Sequence, residues 1–216
     1  MDSSLASVLG SRLWQAGALR RNLAESVGPR SVPTGFEALN RCLPGGGWPL
    51  GSLTEILADG AGVGELELVM PALASLTRDA QWVAWIAPPY IPYAPALESH
   101  GVELSRVLCV GCGKPRGPSL DYLWAAEQLL RLPACGAALL WLDGYPQQDR
   151  ALRRLQVAAE AGGSLGVVFR SVAAARQPSA AALRIVLRAS SAQGQGTQVK
   201  ILKCRGRAPL EAVMAL

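Results

Sequence analysis

Histidine is almost absent from this chain: His100 stands alone among 216 residues, so no metal centre built on several imidazoles can form. Its place just before Gly101 suits a helix end rather than a catalytic base. Cysteine is sparse and odd in number, and its irregular spacing argues against a disulfide framework. Cys109 and Cys112 form a C-x-x-C pair. A structural metal site wants a second such pair, and Cys42, Cys135 and Cys204 stand apart, which argues against a metal or redox role for the pair. No hydrophobic run approaches the length of a membrane span, and the N-terminus opens on polar residues without a signal-like apolar core. The expected location is therefore the cytoplasm, with no membrane partner.

What is present is apolar mass and an uneven charge. Half of the residues are hydrophobic, enough for one sizeable core in an α/β domain with a small appendage. The net charge of +5 is concentrated late: Arg184, Arg188, Lys200, Lys203, Arg205 and Arg207 face Glu211 alone. Lys200, Lys203, Arg205 and Arg207 are candidate nucleic-acid contacts, since such a face can meet DNA phosphates or an acidic partner. The same residues also suit a solvated edge that keeps the protein soluble.

The centre of the chain is Gly60-Ala61-Gly62-Val63-Gly64-Glu65-Leu66, lying between a strand-like run, Ser52 to Leu57, and a helical pattern of Leu66, Val69, Met70, Leu73, Ala74 and Leu76. Strand, glycine loop and helix are the parts of a phosphate-binding loop, in which a Lys reaches the terminal phosphates and a Ser or Thr hydroxyl holds magnesium. Here Glu65 and Leu66 occupy those two positions, and Asp59 stands where the first glycine belongs. A carboxylate repels triphosphate and a leucine cannot hold a cation. The loop reads as the shell of a nucleotide site without its chemistry, so no cofactor is expected.

Taken in order, the chain divides into an N-terminal amphipathic helix within 1–30 and a core domain over 31–216. The helix stripe includes Leu5, Leu9 and Leu13, which are candidate partner-binding residues. A turn at Ser31 to Gly35 and a short helix from Phe36 to about Cys42 lead to Pro44 through Gly51, read as a loop. Apolar strands follow at Trp82 to Ala87, Val107 to Val110, Ala137 to Leu142 and Leu165 to Phe169. Between them lie helices over about Tyr93 to His100, Ser119 to Leu132 and Gln147 to Ala161. This alternation predicts a mostly parallel sheet covered on both faces. Ala182 to Ala189 and Thr197 to Cys204 then predict an antiparallel hairpin extending it. Trp82, Trp85, Trp124 and Trp141 fall in or beside core elements, where packing explains them. Trp48 and Tyr90 fall in loops near the altered site, and the rigid segment from Pro88 to Pro95 is a candidate recognition surface, with Pro88, Pro89 and Tyr90 as candidate partner contacts.

The element order and several strings resemble the RecA recombinase core. Gly46 to Leu57, with its Pro-Leu-Gly-Ser-Leu-Thr-Glu-Ile run, looks like the approach to the first core strand. Glu98 to Val110 and the basic strand Thr197 to Lys203 followed by Arg205 match later parts. The resemblance implies a RecA-like fold over about residues 31 to 209. It departs at the site. The catalytic carboxylate expected after the second core strand is replaced by Ala87-Pro88-Pro89-Tyr90, and only Asp143 fits a magnesium-supporting acid, a position that more often holds an ordinary helix cap or turn acid. Within RecA-like proteins, Gly62 to Leu66 leading to Met70-Pro71-Ala72-Leu73, Trp82 to Pro89, and Leu152 to Gln156 are similar to the ImuA/SulA family. That resemblance implies a non-enzymatic protein of the DNA-damage response. Its partners would be an inactive Y-family polymerase homologue, an error-prone replicative-type polymerase and RecA. The segment Arg170 to Gln177, where RecA-like proteins carry a long DNA-binding loop, is short, so DNA binding would be weak and salt-sensitive, with Arg170 and Arg176 as the cations, unless they serve solubility only. The alternative within the family is a cell-division inhibitor whose partner is the tubulin-like division GTPase.

Overall fold

The structure, a computed structural model, describes residues 30–59, 62–112, 120–142, 148–189, 197–207 and 210–214. Apart from Arg30, these fall in one compact unit, Ser31–Leu216. The expected N-terminal helix, with Leu5, Leu9 and Leu13, lies outside the described residues, as do Gly60 and Asp143.

Strands β3 (Ser52–Leu57), β4 (Trp82–Ile86), β5 (Val107–Val110), β6 (Cys135–Trp141), β7 (Leu165–Arg170), β8 (Leu183–Ala189), β9 (Thr197–Cys204) and β10 (Leu210–Met214) form one sheet. Its order is β10-β9-β8-β3-β7-β6-β4-β5. The pairs from β8 through β5 are parallel, while β9 pairs antiparallel with β8 and β10 antiparallel with β9. The fold is thus α/β, a mostly parallel sheet flanked by helices and extended by a C-terminal antiparallel hairpin.

The apolar runs become strands because this sheet is covered on both faces. Every residue of β3 and β7 is buried. Ile56, Trp85, Leu139 and Val167 point to one face, where α1 (Glu37–Cys42), α2 (Met70–Arg78) and α3 (Ala94–Ser99) supply Leu39, Leu73 and Leu97. Leu53, Ile86, Leu140 and Val168 point to the other, against Leu123 and Leu130 of α4 (Leu120–Arg131) and Leu152 and Leu155 of α5 (Gln148–Gly162). Each such side chain, fully buried, stabilises the fold by about 1.5–3 kcal/mol relative to exposure. The two outer helices touch where α5 ends: a Cβ on Gly162 would collide with the carbonyl oxygen of Leu130.

Several expectations are corrected. Pro44 to Gly51 is not all loop: a 3-10 turn at Pro44–Gly46 precedes β2 (Trp48–Pro49), which pairs antiparallel with β1 (Ser31–Val32). Gly47 allows this, because any Cβ there would strike the backbone of Val32. The helix after the glycine loop starts at Met70, with residues 65–69 in turns, since Pro71 has no N–H to continue a ladder backwards and suits a first helical turn. Trp82 and Trp124 are not core residues, being 39% and 60% exposed. Trp82 is instead covered in part by the guanidinium of Arg106, 5.4 Å from the ring centroid. Trp48 is fully buried in its own domain.

Candidate functional site

Strand β3 runs into the glycine loop at the carboxyl ends of the parallel strands, the edge at which open α/β sheets hold ligands. The loop is pinned on both sides. Ala58 donates its N–H to the carbonyl of Arg170 at 3.0 Å, Asp59 Oδ1 accepts the N–H of Val172 at 3.2 Å, and Thr197 Oγ1 donates to the carbonyl of Val63 at 2.9 Å. Gly62 and Gly64 have φ of 85° and 91°, a left-handed backbone that glycine adopts without Cβ strain.

This backbone turns two consecutive N–H groups onto one carboxylate, that of Glu65. Gly62 donates to Glu65 Oε1 at 3.0 Å and Oε2 at 3.1 Å, and Val63 donates to Oε2 at 2.9 Å. Successive N–H groups in such a turn make an anion-binding concavity, and here the anion comes from the chain itself. Leu66, the next residue, packs against the hydrophobic core. At the end of β4, Ala87 donates its N–H to the carbonyl of Val110 at 2.8 Å and presents a methyl group only. Beside it, Trp85, Trp141 and Phe169 stack across β4, β6 and β7, with ring centroids 5.8 Å and 4.7 Å apart.

On the other face of β3 lies a buried charge cluster. Glu55, completely buried, accepts from Arg170 Nη1 at 2.5 Å and Arg184 Nε at 2.5 Å. Arg170 Nη2 also donates to the side-chain oxygens of Gln148 and, at 2.5 Å, Gln177. Arg184 Nη2 donates to the Ala174 carbonyl at 2.8 Å. Neither arginine is a surface cation, which corrects the reading of Arg170 as a DNA contact or solubility residue and of Arg184 as part of an exposed basic tail. Arg176 is exposed.

The hairpin cations remain at the surface. Lys200, Lys203, Arg205 and Arg207 are all exposed. Lys200 is in register with Val186 on β8 and Glu211 on β10. Lys203 donates to the Ser179 carbonyl at 2.9 Å, and its ammonium is pushed below the usual lysine range by desolvation first, then by Arg205 and Arg184, with Glu55 opposing. Arg207 donates to the Arg41 carbonyl at 2.6 Å. Of the proposed recognition segment, Pro88 is buried and Pro89 half-buried, whereas Tyr90 is 68% exposed. Ile91 and Tyr93, which sequence reasoning did not single out, are each 71% exposed. A signal was available: no charged residue occurs between Asp79 and Glu98.

The cysteines divide by environment. Cys109 and Cys112 are disulfide-bonded, a pairing the odd cysteine count did not suggest, while Cys42, Cys135 and Cys204 are free. Burial pushes the Cys135 thiol up to about 12, against a smaller opposing effect of its hydrogen bond to the Ala137 carbonyl. At pH 8 it should hold roughly a thousandth of the thiolate of an ordinary thiol. Iodoacetamide at that pH should label Cys135 only after the chain is unfolded, as read by peptide mass mapping.

No protein-family model matches the chain. It is 31% identical to Protein ImuA of Caulobacter vibrioides (strain NA1000 / CB15N) over 140 residues, covering 62% of this chain and 55% of the relative. It is 27% identical to the cell division inhibitor SulA of Yersinia pestis (strain Pestoides F) over 104 residues, covering 48% of this chain and 58% of the relative. SulA of Yersinia pseudotuberculosis serotype O:1b (strain IP 31758) matches to the same extent. The chain thus spans a little over half the length of the relatives it matches. By these similarities, to both groups and to each over part of its length, the chain is ImuA/SulA-like.

Proposed function

We propose that the chain is a non-catalytic, RecA-like accessory protein of SOS-induced translesion DNA synthesis. It acts by binding an inactive Y-family polymerase homologue, an error-prone replicative-type polymerase or RecA. The observation that carries the non-catalytic part is the Glu65 carboxylate seated on the N–H groups of Gly62 and Val63. Phosphoryl transfer is almost entirely positioning and charge neutralisation. In this loop the donors that would position a phosphate already hold an anion, and the position of the neutralising lysine is the source of that anion. The similarity to ImuA supports the damage-response setting.

Binding then falls to surface. Tyr90, Ile91 and Tyr93 form an exposed apolar segment spaced by prolines, and exposed apolar patches mark contact sites. A partner docking there would meet a chain already stiffened, with little ordering entropy to lose. The hairpin cations give a weaker, salt-dependent affinity for DNA. Changing Lys200, Lys203, Arg205 and Arg207 to Ala should abolish retention on single-stranded DNA while partner capture persists. Loss of partner capture in a folded variant would instead make the hairpin a protein interface.

The deciding experiment is capture of RecA and of the two polymerases by the purified chain, with ATP turnover followed in the same samples with and without single-stranded DNA. Capture without turnover supports the proposal, and DNA-stimulated turnover would overturn it. The SulA similarity supports a second reading, a division inhibitor that binds the tubulin-like GTPase. Filamentation of cells overexpressing the chain without DNA damage, with capture of that GTPase alone, would replace the first reading by the second.

A further inference from the structure

We propose that Cys109 and Cys112 form a reversible dithiol–disulfide site that exchanges with dithiol reductants at the outer edge of the sheet. Strand β5 is the last in the sheet order, so its outer side has no neighbouring strand among the described residues. Cys109 lies on it, exposed, and Cys112 follows in a half-buried turn, with Cα atoms 6.0 Å apart. The turn is built to bring the two sulfurs together. Gly111 has a φ of 73°, and any Cβ there would press on the Tyr122 ring. Glycine at this position lets the chain reverse tightly while the ring holds it in place.

Three observations separate this pair from a structural staple or a metal site. A bond spanning three residues closes a very short loop, and a disulfide constrains the unfolded chain least when its loop is short. The two apolar layers hold the domain without it. Among the described residues, no group of three or more metal-ligating side chains gathers anywhere. Of the free cysteines, Cys135 and Cys204 are buried, with thiols pushed up by desolvation, and Cys42 is half-buried on α1. The pair also sits beside the exposed segment, because the Val110 carbonyl between Cys109 and Gly111 accepts the N–H of Ala87.

The exchange balances with a dithiol as the co-reactant. A thiolate of the reductant attacks the accessible Cys109 sulfur, the S–S bond breaks, and Cys112 leaves as thiolate and takes up a proton. The second thiolate of the reductant then attacks its own sulfur in the mixed disulfide. Cys109 leaves and is protonated, and the reductant departs as a cyclic disulfide. Two electrons pass from reductant to protein.

The test uses the full chain in buffers of graded reduced to oxidised dithiothreitol, quenched with iodoacetamide and mapped by peptide mass. Cys109 and Cys112 should pass together from unlabelled to doubly labelled, with unchanged circular dichroism. Labelling of both in the most oxidising buffer would overturn the proposal, as would protection of both in the most reducing one. In a folded Cys112→Ser variant, oxidised glutathione should give a mixed disulfide at Cys109, and its absence would equally overturn the proposal.

Discussion

Glu55→Ala should be among the most destabilising single substitutions on the sheet, lowering stability by about 3–5 kcal/mol, the usual cost of removing one partner from a buried ion pair. The reason is what it leaves behind. Arg170 and Arg184 have side chains only 1% and 8% exposed, and guanidinium does not give up its proton in a protein. Gln148, Gln177 and the Ala174 carbonyl satisfy outer donors, but among the described residues only Glu55 is seen to supply negative charge to both arginines. Without it, two cations flank β3 from the strands on either side, β7 and β8, in a desolvated space.

The contrast is the surface pair Arg41 and Glu37, also 2.5 Å apart, with side chains 73% and 81% exposed. Water and salt screen it, so Glu37→Ala should change stability by no more than about 0.5 kcal/mol. Urea denaturation of the two variants reads the difference directly. A midpoint for Glu55→Ala equal to that of the natural chain would show that the arginines find other compensation. For a domain of this size the expected loss corresponds to a fall in melting temperature of roughly 6–20 °C.

This cluster marks the boundary of what local pattern can reveal. Val107–Val110 and Thr197–Cys204 were legible to the residue, because apolar or alternating runs bounded by turn residues leave little freedom in placing a strand. The parallel sheet followed from the same runs. Strand β10 was not legible: its five residues carry no strong alternation, and pairing with β9 alone makes them a strand. Arg170 could be read as a cation, but its burial depends on Glu55, 115 residues earlier. Trp124 lies on a helix whose periodicity is plain, yet its exposure depends on which face α5 covers. Contacts distant in sequence decide these cases. At the glycine loop the sequence shows Glu65 and Leu66 after the last glycine, whereas the place taken by the Glu65 carboxylate depends on the left-handed backbone at Gly62 and Gly64.

That geometry makes Glu65→Ala the informative change at the loop. Removing the carboxylate frees the N–H groups of Gly62 and Val63 and removes a negative charge from the concavity they form. Hydrogen bonds to charged groups are worth about 1.5–3 kcal/mol each, and an exposed loop gives the lower end of that range. Two freed donors therefore imply a gain of about 3 kcal/mol in anion binding, or roughly a hundredfold in affinity. Inorganic phosphate titrated by calorimetry or by amide shifts of Gly62 and Val63 should bind the variant and not the natural chain. Hydrolysis of ATP should stay absent in both, since neither Leu66 nor Ala87 can hold a metal or orient a water. Equal, undetectable phosphate binding in both proteins would mean that the loop opens when Glu65 is lost, so that the carboxylate organises the nest rather than filling one already formed. Glu65→Gln separates the two cases, because it keeps an acceptor oxygen for the loop while removing the charge: it should hold the loop closed and bind phosphate more weakly than the alanine variant.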